Sequence, residues 1–130
     1  MNSLTTFHPQ TEENTVTIVV TEAIGDTICI ASEDGLKVYE QIAAAFKEGK
    51  KAIVSFKDAE DITSAFLADS IGQLYHKFPE ELVESNISVV DMQPIDLEDL
   101  EETIYWIKEY IKDPERWIAA AREAFGEDYD

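Results

Sequence analysis

Thr63 and Ser64 are the side chains whose type and place best suit chemistry. They follow an acidic stretch, Lys57-Asp58-Ala59-Glu60-Asp61, and open an amphipathic run that reads as a helix. A hydroxyl at a helix start faces free backbone N–H groups and the positive end of the helix dipole. A phosphate carried there gains from both, while Asp58, Glu60 and Asp61 would oppose it. The plainer role for one of the pair is that of helix N-cap, a common use of Ser and Thr at such a place. The expected site therefore has Thr63 and Ser64 as phospho-acceptor or partner contact. Lys57, Asp58, Glu60, Asp61 and Phe66 form the partner-binding surface around them.

Other chemistries find little support. The run from Lys57 to Asp61 lacks the glycine and the regular spacing of a calcium loop, so neither metal nor cofactor is expected. The two histidines are His8, in a polar N-terminal stretch, and His76, beside Tyr75 at the end of a helical run. Neither adjoins a credible nucleophile. The single cysteine, Cys29, cannot form an internal disulfide and sits in an apolar run that suits a buried thiol. The chain has no Gly-x-Ser-x-Gly elbow, phosphate loop or dinucleotide fingerprint. With 28 acidic residues, pairs of carboxylates arise by chance. The chain reads as non-enzymatic.

Bulk properties narrow the setting. The chain has 130 residues, 45% of them hydrophobic, enough for one globular core. A formal net charge of -18 repels nucleic-acid phosphates and favours a basic partner or plain solubility. The opening MNSLTTFHPQTEENT is polar, and no apolar run approaches the roughly 20 residues of a membrane span. A cytoplasmic protein is expected, with a flexible arm over 1–14 and one domain over 15–130.

Several elements must position the site. Thr15 to Thr21 is rich in β-branched residues, and Thr27 to Ala31 is a second short apolar run. Gly25-Asp26 between them predicts a turn and an antiparallel hairpin. Ser32 suits an N-cap, and Leu36, Tyr39, Ile42, Ala43 and Phe46 make the apolar face of the helix it opens. Gly49 closes that helix. A strand from Ala52 to Phe56 leads into the acidic turn. The next helix carries Leu67, Ile71, Leu74 and Phe78 as its stripe and ends at Pro79. Ile87 to Val90 is a fourth strand. Over 96–126 the chain is acidic and helical, interrupted at Asp113-Pro114. There Tyr105, Trp106, Tyr110 and Trp117 are expected to pack as core, with an aromatic docking face as the alternative. The order predicts an α/β fold: a small mixed sheet of about four strands, helices packed on it, and a C-terminal helical extension.

Two segments, SEDGLKVYEQI and GKKAIVSFKDAEDITSAFLADSIGQLY, resemble the STAS-like domains of unknown function. These are distant relatives of the STAS domains of anti-sigma factor antagonists. The resemblance covers roughly Thr15 to Met92 and rests on Gly35 and on the strand, acidic turn and Ile-Thr-Ser-x-Phe-Leu run. It implies a regulatory protein whose loop serine is modified by an ATP-dependent kinase that is itself the partner. In that alignment Ser64 falls on the first serine of an Asp-Ser-Ser-Gly-Leu motif. Ala65 falls on the usual acceptor and Phe66 on the glycine. Ala65 has no hydroxyl, so the usual switch cannot operate there, and Ser64 or Thr63 would have to serve. The expected function is docking to a protein partner, an ATP-binding kinase-type regulator or a basic protein. Self-association through the C-terminal helices is a further expectation. The alternative is an acidic mimic that fills a basic nucleic-acid-binding cleft, with Glu98, Glu101 and Glu102 as its charges.

Overall fold

The computed structural model describes residues 14–125. Residues 1–13 of the arm expected over 1–14, His8 among them, and the final residues 126–130 lie outside them. Strand β1 (Thr15–Val19) runs directly into helix α1 (Val20–Ile24), then β2 (Ile28–Cys29), α2 (Ser32–Lys47), β3 (Lys51–Ser55) and β4 (Asp61–Ile62). Helix α3 (Ser64–Leu67), a π-helical turn (Ala68–Gly72) and α4 (Gln73–Lys77) follow without a break. Then come α5 (Glu80–Asn86), β5 (Ile87–Val90), α6 (Pro94–Lys112) and α7 (Pro114–Phe125).

The α/β architecture and its C-terminal helices are those the sequence predicts. The sheet differs in pairing. β1, β3 and β5 form a three-stranded sheet in the order β1-β3-β5, and β2 pairs with β4 in a separate two-stranded sheet. Every one of these pairings is parallel. The expected antiparallel hairpin does not form because Val20–Ile24 coils into helix instead of extending the strand. Gly25, at φ 72°, closes that helix through its N–H on the Thr21 carbonyl. The chain thus leaves β1 sideways, and β2 is free to meet β4. Asn14, assigned to the arm, already belongs to the sheet edge: its carbonyl accepts from Lys51 N–H at 2.8 Å.

The register stacks apolar residues in rows across the sheet. Val16, Ala52 and Ile87 are one row; Ile18, Val54 and Val89 are the next. This face meets the helices, while Thr17 and Ser88 on the opposite face are exposed. The core continues through Val38, Ile42 and Phe46 of α2, Phe66, Leu67, Ile71 and Leu74 of the second helical unit, Val83 and Leu100.

The buried stripe of α2 keeps Ile42, Ala43 and Phe46 of the predicted face, but its first turns are rotated. Gly35, Val38, Ile42 and Ala45 face inward, and Leu36 is 42% exposed. Gly35 causes the rotation. A Cβ at Gly35 would stand 2.9 Å from Asp69 Cβ and 3.1 Å from the Phe66 carbonyl oxygen, so the two helices cross there at backbone contact. Ser32 is the first helical residue rather than the cap, which is Ala31. In the π-helical turn, the fully buried Ser70 donates its hydroxyl to the Phe66 carbonyl at 2.8 Å. A Ser bonded back onto its own helix is a recognised cause of local unwinding. Among the described residues no helix is long and apolar enough to cross a membrane.

Candidate functional site

The turn between β3 and α3 lies at the carboxyl ends of the parallel strands, where open α/β sheets place their functional loops. Phe56 closes β3: it is 2% exposed, and its N–H donates to the Val90 carbonyl at 3.1 Å. Its own carbonyl accepts from Ala59 N–H, which makes a tight turn with Asp58 in the left-handed region at φ 66°. The chain is then pinned to β2. Glu60 N–H donates to the Thr27 carbonyl at 2.9 Å, Asp61–Ile62 pair with Ile28–Cys29, and Thr63 N–H donates to the Cys29 carbonyl at 3.2 Å. Lys57, Asp58, Glu60, Asp61 and Ser64 are all exposed on this anchored ledge.

Thr63 and Ser64 are placed differently, and only the capping role is seen. Thr63 Oγ1 accepts from Phe66 N–H at 3.1 Å, so Thr63 is the N-cap of α3. Ser64 faces outward, and its hydroxyl donates to Asp99 Oδ1 on α6 at 2.7 Å. Phe66 does not belong to the surface. It is 0% exposed and sits in the core, because the cap turns the third residue of the helix inward.

Sequence reasoning missed a second polar group at the same sheet edge. The Ser55 hydroxyl, nearly buried, donates to Asp91 Oδ2 at 2.7 Å and accepts from Lys57 N–H at 3.3 Å. Thr21 Oγ1 donates to the Lys57 carbonyl at 3.3 Å. Asp91, like Asp58, holds a left-handed backbone, with φ 59°. The ledge is therefore braced from α1, from the end of β3 and from the residue after β5 together. The only signal in the sequence was a small polar residue at the end of each of two strands.

Burial shifts one thiol and one phenol. Burial, aided by Asp26 and Asp34, pushes the Cys29 thiol up to about 11. Burial, with Glu84 next, pushes Tyr75 up to about 12. Among the described residues no group of three or more His, Cys, Asp or Glu side chains converges on a metal position.

Helix α6 is held against the rest by Lys108. Its ammonium donates to Glu84 Oε2 at 2.6 Å, lies 3.1 Å from Glu80 Oε2, and sits over the Tyr75 ring. The Lys108 hydrogen bond lowers the Glu84 pKa, and the same bond raises that of Lys108. A depressed carboxyl stabilises the fold above its unfolded pKa and loses that contribution as pH falls through the folded value. A raised ammonium does the reverse, losing its contribution as pH climbs through the folded value. The clamp is whole at neutral pH and weakens at both extremes. Both side chains are partly solvated, so the pair is worth about 0.5–1 kcal/mol. Lys108→Met should shift urea unfolding at pH 7 by that amount, and by progressively less as pH is lowered to 3. An equal loss at both pH values would contradict the ion pair.

Residues 34–97 match the family model described as a STAS-like domain of unknown function (DUF4325). The matched STAS-like segment runs from the first turn of α2 through the ledge and β5 to the start of α6. Strand β1, which the resemblance over Thr15 to Met92 included, lies outside it. So do α7 and most of α6. No curated protein and no solved structure matches the chain.

Proposed function

We propose that the STAS-like domain is a regulatory interaction module without enzymatic activity, and that it docks a protein partner through the ledge at 57–64. One observation supports this reading above the others. Five charged or polar side chains face solvent on a backbone fixed by the Glu60–Thr27 and Thr63–Cys29 main-chain bonds. A surface already held in shape gives up little conformational entropy when a partner lands on it. The net charge of -18 speeds encounter with a basic surface and makes the association salt-sensitive.

The partner proposed is an ATP-binding kinase-type regulator, with Ser64 as the residue it modifies. Thr63 spends its oxygen on the cap, and Ala65 has no hydroxyl. A phosphate on Ser64 would replace a hydroxyl donor by a dianion facing the Asp99 carboxylate, and would loosen α6 from α3. The test is binding of the immobilised full chain to such a regulator at low salt, with and without ATP, followed by mass analysis of Thr63 and Ser64. Lys57→Glu and Ser64→Ala should each abolish or sharply reduce capture. The triple change Glu98→Gln, Glu101→Gln and Glu102→Gln should leave it intact. The opposite pattern would favour mimicry of nucleic acid by α6. Absence of any ATP effect, with 63–64 unmodified, removes the kinase from the proposal.

A further inference from the structure

The aromatic residues of the C-terminal helices are not core, contrary to what their helical spacing predicts. Tyr105, Trp106 and Tyr110 are 54%, 49% and 40% exposed. The core-facing side of α6 is taken by Leu100, Ile104 and Ile107, leaving Trp106 on the side toward α7. There Trp106 and Trp117 meet edge to face, with ring centroids 5.6 Å apart. His76, Trp106, Ile107, Tyr110 and Trp117 border an apolar groove of about 490 Å³ between α4, α6 and α7.

Helix α7 is held lightly. Its main support is α6. Among its described side chains none is buried: Trp117 and Ala121 are half-buried and the rest are exposed. The docked state also carries a cost. The Trp117 indole Nε1 is buried in the contact and has no hydrogen-bond acceptor among the described residues. A buried N–H without an acceptor costs at least as much as one edge-to-face aromatic pair returns. Undocking hands that N–H to water.

The break between the two helices supplies a pivot. Asp113, at φ -149° and ψ 74°, is the single residue between α6 and α7. The contacts that order the first turn of α7 travel with it. Asp113 Oδ1 accepts from Arg116 N–H, and the Arg116 guanidinium lies over the Trp117 ring. Neither is lost when α7 swings away.

We infer that α7 is a hinged cover for the apolar face formed by Trp106, Ile107 and Tyr110, pivoting at Asp113, and that its undocked state is populated while the rest of the chain stays folded. At 12 residues α7 is too short to hold its helix well alone, so it frays as it leaves. A molecule that binds this face must first displace α7, which makes α7 an intramolecular competitor. The device is separate from the ledge and stands whether or not the ledge docks a kinase-type regulator.

Amide hydrogen exchange of the full chain tests the cover. The amides from Ala119 to Ala124 have acceptors within α7, so their exchange reports its opening. They should be about a hundredfold less protected than those of Ile104 and Ile107 in α6. Two changes separate this account from plain packing. Trp106→Ala removes the ring on which α7 rests and should lower the protection of α7 about threefold or more. Replacing Trp117 by benzothienylalanine keeps the ring shape, puts sulfur in place of the N–H, and should raise protection about threefold or more. Far-ultraviolet circular dichroism checks that both chains fold. Both tryptophans of the protein lie in this contact, so their emission reports undocking. On heating, the emission of the unaltered chain should move to the red before circular dichroism records loss of the main helices. Three results would overturn the inference: α7 amides as protected as those of α6, coincident heating transitions, or lower α7 protection in the benzothienylalanine chain.

Discussion

Phe66→Ala should lower the unfolding free energy by about 3–5 kcal/mol, the usual cost of emptying an aromatic site in a packed core. Phe66 has no exposed surface, and it packs in one cluster with Leu67, Ile71 and Leu74 of its own helical unit and Val38 and Ile42 of α2. The loss would consume much of the 5–15 kcal/mol typical of a domain. Denaturant unfolding followed by circular dichroism measures it. Ser64→Ala, two positions earlier and exposed, should cost less than about 1 kcal/mol, the worth of one solvated hydrogen bond. The contrast separates the two residues that sequence reasoning had placed on the same surface. If Phe66→Ala unfolds at nearly the wild-type denaturant concentration, Phe66 is not the core residue described here.

Gly35→Val should be the second large effect, at about 1–3 kcal/mol of overpacking. In an ordinary helix, replacing glycine by a residue with a Cβ gains stability, about 0.5–1 kcal/mol for alanine. Here the sign reverses. The new Cβ meets Asp69 Cβ and the Phe66 carbonyl, both fixed to backbone, so neither can swing aside. Relief requires α2 to move off the second helical unit and reopens the contacts of Val38 and Ile42. Gly35→Ala should also destabilise, by less, despite its better helix propensity. A Gly35→Ala chain more stable than the wild type would show that the crossing is looser than 2.9 Å implies.

The sequence carried the periodic elements well. The apolar stripe at Leu67, Ile71 and Leu74, the strands around Val54 and Val89, and the break at Asp113-Pro114 all stand where spacing places them. At that break Asp113 Oδ1 accepts from Arg116 N–H, as an N-cap should. What misled were places where tertiary packing overrode a local pattern. Val20 and Thr21 continue a β-branched run yet are helical, because Gly25 supplies a left-handed stop five residues on. Leu36 has the right spacing for a buried face, but Gly35 beside it claims the crossing point. Trp106 and Tyr110 read as core because amphipathic spacing does not say which side of a helix is covered. Only the site's outline was legible. The acidic turn and Thr63–Ser64 could be found by type and position. Ser55 and Asp91 lie 36 residues apart and meet only because β3 and β5 are neighbours.

The central claim is that 57–64 is both outside and fixed, and amide hydrogen exchange of the free chain tests it without any partner. The Glu60 and Thr63 amides, bonded to Thr27 and Cys29, should exchange slowly, as the amides of β3 do. Those of Ser64 and Ala65, in the first turn of α3, should exchange fast because the first helical amides have no internal acceptor. Uniformly fast exchange across 57–64 would mean a loose loop and would contradict the account.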